Sequence, residues 1–99
     1  MKQNGDFKKK LLDVPPEHAF WVNNGPIPRN VYELLGALKA MRQETYEFHT
    51  NNGKNDFANW ARDIIGDNLL AAKLLGAKNA RDAAKKLGAW IKSTEKKAV

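Results

Sequence analysis

The strongest constraint on the fold is a series of five short apolar runs, each bounded by residues that begin or end a helix. The first run repeats apolar residues at the spacing of one helix face: Val31, Leu34, Leu35, Leu38 and Met41. Asn30 precedes this run as a predicted N-cap, and Glu33 stands three residues later, as a capping box requires. These features predict a helix that begins after Asn30.

Four further helices are predicted from the same kinds of signal. They cover residues 44–49, residues from a cap at Asn55 or Asp56 to Gly66, residues 69–75, and residues from a cap at Asn79 to about Thr94. Before them, the apolar residues 19–22 are followed by an Asn-Asn-Gly turn and by Pro26 and Pro28. Because proline cannot donate a backbone hydrogen bond, only a short extended or hairpin-like element is expected there.

The predicted fold is therefore mainly α, a small helical bundle of about five helices with one short extended or hairpin-like element near the N-terminus. Residues 1–13 are expected to form a flexible basic arm, residues 14–94 a single helical domain, and residues 95–99 a disordered tail. The predicted core is the following set: Phe20, Trp21, Leu34, Leu38, Phe57, Trp60, Ile64, Leu74, Leu87, Trp90 and Ile91.

The composition excludes several classes of site. The chain has no cysteine, which rules out disulfides, thiolate catalysis and zinc–thiolate centres and is typical of a reducing cytoplasm. No apolar run approaches the roughly 18 residues of a membrane span, and no apolar stretch follows the N-terminal lysines as in a signal peptide. We therefore expect a cytoplasmic protein without a membrane partner.

The excess positive charge of the chain is concentrated at its C-terminal end. Residues 70–99 carry eight Lys or Arg against two Asp or Glu, whereas residues 14–69 carry five against seven. On the last predicted helix one face gathers cations within an arc of about 60°, namely Lys78, Arg81, Lys85, Lys92 and Lys96. Lys86 lies to one flank of this row, and Lys8, Lys9 and Lys10 could add to it if the arm folds back.

Two interpretations of these nine cations stay open. They form either a solvated helix face, or a surface that docks the phosphates of a nucleic acid. The near absence of Asn, Gln and Ser from this face favours backbone contacts over base-specific recognition. A separate hypothesis is a partner protein that binds an exposed aromatic patch around Trp21, Tyr32 or Tyr46.

No catalytic, metal-binding or cofactor-binding motif is recognisable. His18 and His49 are the only imidazoles, and their spacing fits no metal-ligand pattern. A hydrolase that uses His49 is a weaker third hypothesis, which requires a carboxylate, a hydroxyl group or a second imidazole near the ring.

Three segments resemble a known family. Residues 16–25 (PEHAFWVNNG), 55–60 (NDFANW) and 62–67 (RDIIGD) are similar to an uncharacterised prokaryotic family of small domains, found alone or fused to other domains. The resemblance covers roughly residues 15–92 and implies a compact, non-catalytic module without catalytic residues or cofactors. The sequence thus favours a small non-enzymatic interaction module that binds a protein partner. The alternative is a nucleic-acid-binding protein that uses the basic face of the last helix.

Overall fold

Six helices account for most of the chain in the computed structural model, which describes residues 4–99 and only the backbone of Asn4. They are α1 (Asn4–Lys9), α2 (Val31–Ala40), α3 (Gln43–Thr50), α4 (Asp56–Trp60), α5 (Asn68–Leu75) and α6 (Ala80–Lys97). A 3₁₀ turn covers Pro16–His18, and α4 continues directly into a π-helical turn over Ala61–Ile65. The predicted helical bundle is confirmed, and no strand occurs within residues 4–99.

Short polar side chains begin four of the helices, and three of these caps are predicted from the sequence. The Oδ1 atoms of Asn30, Asn55 and Asn79 each accept a backbone N–H three residues later, over 2.8–2.9 Å. Asn55, not Asp56, therefore caps α4. Asp67 caps α5 in the same way through the Leu70 N–H at 2.7 Å, a cap that the sequence analysis did not include.

The core is built around α6, whose largest contact is with α2. Every predicted core residue is buried except Trp21, which is exposed, and Ile64, which is half-buried. Ile65 takes the inward position instead of Ile64. A π turn bonds residue i to residue i+5, here Gly66 N–H to Ala61 O at 2.9 Å, and this shifts the inward position by one residue. Gly66 ends the turn at a φ of 80°, which favours glycine.

The prediction of a flexible N-terminal arm is wrong for residues 4–13, and residues 1–3 lie outside the described residues. Helix α1 contacts α6, and Leu11 lies against the core. The Lys10 ammonium pairs with Asp67 at 2.9 Å, with only 10% and 13% of the two side chains exposed. The partial burial of Leu11 and the Lys10–Asp67 pair hold this segment against the rest of the molecule.

The predicted disordered tail is also partly wrong, because α6 extends to Lys97. The Lys97 ammonium lies 5.4 Å from the centre of the Phe7 ring of α1, and this cation–π contact joins the last turn of α6 to α1.

Between α1 and α2 the chain forms the predicted hairpin-like element without regular strands. The Phe20 N–H donates to Pro28 O at 2.9 Å and the Val22 N–H donates to Pro26 O at 3.2 Å. The prolines accept but cannot donate in return, so a regular ladder is impossible. Gly25 closes the turn where any Cβ would come within 2.8 Å of Val22 Cγ1.

No helix among residues 4–99 combines the length and the apolar character that a membrane crossing requires.

Candidate functional site

Helices α2 and α6 lie side by side and leave a shallow groove between them, which we call the basic groove. Its floor is apolar and comes from Leu35 on α2 and from Ala84, Gly88 and Ile91 on α6. These three α6 positions recur at intervals of three or four residues, so one face of the helix supplies them. Gly88 keeps the floor open, since a Cβ there would lie 4.0 Å from the Leu35 methyl groups and would fill the space above them.

Three lysines border this apolar floor. Lys39 lies on α2, and Lys85 and Lys92 lie two turns apart on α6. All three are exposed, and none of the ion pairs formed within residues 4–99 involves them. The groove therefore combines an apolar surface with cations that have no acidic partner in the described part of the chain.

One end of the basic groove is closed by a hydrogen bond between its two helices. The Tyr32 hydroxyl group donates to Glu95 Oε2 at 2.6 Å. This hydrogen bond raises the pKa of Tyr32, and burial and the negative charge of Glu95 add to the effect. The predicted contact residue Tyr32 is 43% exposed, so its ring remains accessible although its hydroxyl group is engaged.

The cation row of α6 continues beyond the groove. Arg81 and Lys96 are exposed on the same face, with Lys78 just before the helix, and none of them takes part in an ion pair within residues 4–99. Lys86 differs from them. Its ammonium group binds Asp82 at 3.0 Å and Gly76 O at 3.3 Å, so it stabilises the start of α6.

The three cations of the N-terminal segment do not extend this row. Lys10 is buried against Asp67. Lys8 and Lys9 are exposed on α1, which packs beside Lys97. Lys97 lies about 140° around the α6 axis from Lys92. The arm folds back, but onto another side of the helix.

A second concave surface, which we call the Trp21 pocket, lies between the hairpin-like loop and α4. Its walls include Phe20, Trp21, Trp60 and Ile64, and its volume is about 340 Å³. Trp21 is 69% exposed, whereas its neighbours Phe20 and Val22 are buried. The core assignment of Trp21 was wrong because alternate residues of an extended segment face opposite sides.

His49 anchors this pocket through both nitrogens of its buried ring. The Asn23 N–H donates to Nε2 at 3.0 Å, and Nδ1 lies 2.9 Å from Asp56 Oδ2. A backbone N–H can only donate, so Nε2 is the acceptor. The ring hydrogen is then on Nδ1, which donates it in a hydrogen bond to Asp56 Oδ2. The ring also contacts Phe20 and Phe57. His49 thus joins the hairpin-like loop to α3 and α4.

Three polar side chains complete the Trp21 pocket: Asp56 and Asn59 on α4, and Asp63 on the π turn that follows it. Asp56 and Asn59 stand three residues apart, a spacing that places both on one face of α4. The Lys54 ammonium group donates to Asp56 Oδ2 at 3.3 Å. Arg62 donates two hydrogen bonds to the Asp63 carboxylate, of 2.9 and 3.1 Å. Hydrogen bonding to Arg62 lowers the pKa of Asp63.

The sequence predicted Trp21 as a contact residue and offered His49 for a weaker hydrolase hypothesis, but it did not predict that the two line one pocket. The three segments that carry the family resemblance meet at this pocket, through Trp21, Asn59 and Asp63 respectively. Two signals could have identified it. The alternation from Phe20 to Val22 turns Trp21 outward, and the short connection between α3 and α4 brings His49 near Asp56.

Tyr46 is not a surface residue, so the prediction that it contacts a partner is wrong. It is 4% exposed and stacks on Phe57 with a centroid distance of 5.3 Å. Burial raises the pKa of its hydroxyl group, and the charge of Asp82 adds to the effect. The helical spacing of residues 44–49 leaves two inward positions, which Tyr46 and His49 occupy.

Among residues 4–99, no three His, Asp or Glu side chains converge in an arrangement that could hold a metal ion. A comparison of the chain with models of protein families, with curated proteins and with solved structures found no match. The family resemblance of the three segments therefore stays a prediction, and functional inference rests on the two concave surfaces.

Proposed function

We propose that this protein is a non-enzymatic interaction module whose basic groove binds an acidic, amphipathic segment of a partner protein. The observation that carries the proposal is the placement of Lys39, Lys85 and Lys92 around an apolar floor, without acidic partners in residues 4–99. Apolar side chains on one face of a helical segment would cover Leu35 and Ile91. Carboxylates beside them would reach the lysines.

The state of His49 supports a non-enzymatic role. A general base needs a ring nitrogen that is free to receive a proton from the reacting group. In His49 the backbone of Asn23 occupies Nε2 and Asp56 holds Nδ1. The carboxylate that the hydrolase hypothesis requires is present, but the ring has no nitrogen left for a substrate. Ser93, the only serine, lies on α6 beside Trp90 and Lys97 and does not line the Trp21 pocket.

The first test uses a fluorescent peptide that places leucines at i, i+4 and i+7 and glutamates on both flanks. A scrambled peptide of identical composition serves as its control, and binding is measured by fluorescence anisotropy. We expect the ordered peptide to bind at least about tenfold more tightly than the scrambled one. Only the ordered one matches both the apolar floor and the lysines that border it, which we call the rim. Equal affinity for the two peptides would contradict the proposal.

Gly88→Ala probes the floor without changing any charge. Its new methyl group occupies the space above Leu35 at ordinary contact distance, so the helix keeps its fold while the groove becomes shallower. We expect the ordered peptide to lose about tenfold in affinity. Gly36→Ala is the matched control, since Gly36 is an exposed α2 residue that does not line the groove. An unchanged affinity in Gly88→Ala would contradict a role for the floor.

The rim is tested with the triple variant Lys39→Gln, Lys85→Gln and Lys92→Gln. The control triple Lys8→Gln, Lys9→Gln and Lys73→Gln removes the same charge from exposed positions outside the groove. We expect only the groove variant to abolish peptide binding, because general attraction by net charge changes equally in both. Equal losses in the two triples would show that net charge alone drives binding.

Nucleic-acid binding is the second candidate function, favoured by the row of cations from Lys78 to Lys96. From Arg81 to Lys96 the row runs about 22 Å along the exposed face of α6, a length that several phosphates could follow. Gel shifts with random duplex and single-stranded DNA at two salt concentrations test it. Binding that falls steeply with salt, weakens in Arg81→Gln and is unaffected by Gly88→Ala would support this alternative. No shift at low salt would remove it.

A further inference from the structure

The Trp21 indole combines high exposure with a rigid attachment. The residues on both sides of it are buried, and three hydrogen bonds hold the loop: Phe20 N–H to Pro28 O, Val22 N–H to Pro26 O, and Asn23 N–H to His49 Nε2. Because the backbone is already held, binding through this side chain does not have to order the loop, which is typical of residues that dominate binding energy at interfaces. Nothing in the basic groove involves it.

The space beside Trp21 is a shallow, open depression with apolar walls. Trp60 on α4 and Ile64 on the π turn face it, and the Trp60 ring is fixed because its Nε1–H donates to His18 O at 2.7 Å. The depression of about 340 Å³ has room for one long side chain to lie along it. Such a chain would lie between the indole of Trp21 and the side of α4.

The charges of this pocket are opposite to those of the basic groove. Asp56 and Asp63 line it together with the Asn59 amide, and no Lys or Arg does. Only Oδ2 of Asp56 takes part in the hydrogen bonds within residues 4–99, so Oδ1 can accept another. The Arg62–Asp63 pair is exposed on both sides and is therefore weak enough for an incoming cation to exchange with it. The pocket thus favours a cationic ligand.

We propose that the Trp21 pocket binds an arginine side chain presented by a partner protein. A planar guanidinium group stacks on an indole and at the same time forms two parallel hydrogen bonds to a carboxylate, which an ammonium group cannot do. The aliphatic stem of the arginine covers Ile64, and the guanidinium group lies between Trp21 and the Asp63 carboxylate. This site is independent of the basic groove, and either proposal can fail alone.

The test is an NMR titration of the intact chain with N-acetyl-arginine methylamide at constant low ionic strength. We expect the indole N–H signal of Trp21 and the side-chain amide signals of Asn59 to shift in a saturable manner at millimolar concentration. The neutral isostere N-acetyl-citrulline methylamide, which keeps the shape without the charge, should leave them in place. The lysine derivative should bind several times more weakly because it lacks the planar fork. Equal shifts with all three compounds, or no shifts with arginine, would overturn the proposal.

Two variants locate the binding. Trp21→Ala removes the stacking surface and Asp63→Asn removes one carboxylate charge, and each should weaken arginine binding roughly threefold to tenfold. Both residues are exposed, so the fold should survive the substitutions. Glu47→Gln removes the same charge from an exposed position of α3 outside the pocket and should leave the affinity unchanged. If Asp63→Asn behaves like Glu47→Gln and Trp21→Ala binds normally, the assignment of this pocket is wrong.

Discussion

The basic groove and the Trp21 pocket differ in whether their charged side chains are paired with groups of opposite charge. In the pocket, Asp56 is held by His49 and Lys54, and Asp63 is held by Arg62. In the groove, Lys39, Lys85 and Lys92 have no acidic partner within residues 4–99. Of these contacts, the one between buried His49 and Asp56 contributes to the fold and shapes the pocket in advance. Unpaired cations contribute little to the fold and remain available to a partner.

The largest expected effect is a loss of stability when His49, which anchors the Trp21 pocket, is replaced. His49→Ala removes both hydrogen bonds of the imidazole ring and leaves a cavity beside Phe20 and Phe57, so the free energy of unfolding should fall by about 2–4 kcal/mol. Urea denaturation followed by circular dichroism measures it. His18→Ala is the control and should change stability by less than about 0.5 kcal/mol, because that side chain is exposed and Trp60 binds only its carbonyl group. Similar values for both variants would mean that the His49 network does not hold the loop.

A second prediction compares a paired cation with the unpaired ones. Lys10→Met keeps the aliphatic stem but leaves Asp67 without its ion pair, and should cost about 1–2 kcal/mol of unfolding free energy. Lys9→Met, an exposed neighbour, is the control. If the two variants are equally stable, the Lys10–Asp67 pair does not hold the N-terminal segment.

The same pair predicts a pH dependence. Burial acts to raise the pKa of Asp67, but the Leu70 N–H and the Lys10 ammonium group outweigh it and hold that pKa below its ordinary value of 3.8. Stability from Asp67 is therefore complete above that pH and is lost as the pH falls through the depressed value. Lys10→Met should reduce this acid-dependent loss in urea denaturation measured across the acidic range. An identical pH profile in the variant would contradict the assigned cause.

Gly88→Ala tests how the floor of the basic groove affects stability. A helix-interior glycine costs roughly 0.5–1 kcal/mol relative to alanine, and a methyl group at position 88 has room. We therefore expect thermal unfolding to show a gain of that size, together with the loss of peptide binding described above. Gly36→Ala should give the same gain without the loss. A destabilised Gly88→Ala protein would mean that the floor is already fully packed.

The smallest expected effect belongs to the unpaired cations themselves. Lys85→Gln and Lys92→Gln should each change the free energy of unfolding by less than about 0.5 kcal/mol, since neither side chain has an acidic partner in the described residues. Urea denaturation of the single variants checks this. A loss of more than that would indicate that these lysines serve the fold and would weaken the docking proposal.

Local features of this chain were predictable from its sequence, and features that depend on how helices pack together were not. Asn30 and Asn79 cap helices because a cap needs only residues three positions apart. The basic row of α6 follows from spacing alone. The groove could not be predicted, because Lys39 and Lys85 become neighbours only when α2 packs on α6. Trp21 was assigned to the core because hydrophobicity was weighed without the alternation of an extended segment.

The proline-bounded loop affects how this protein behaves at high concentration. Residues 19–22 form an apolar extended stretch, a type of segment that readily recruits other copies into intermolecular β-sheets. Here the Phe20 and Val22 amides are already bound to Pro28 and Pro26, and the two prolines offer no amide of their own. Neither of these two amides is therefore available to an incoming strand, which limits the hydrogen-bond ladder that a second copy could build on this loop.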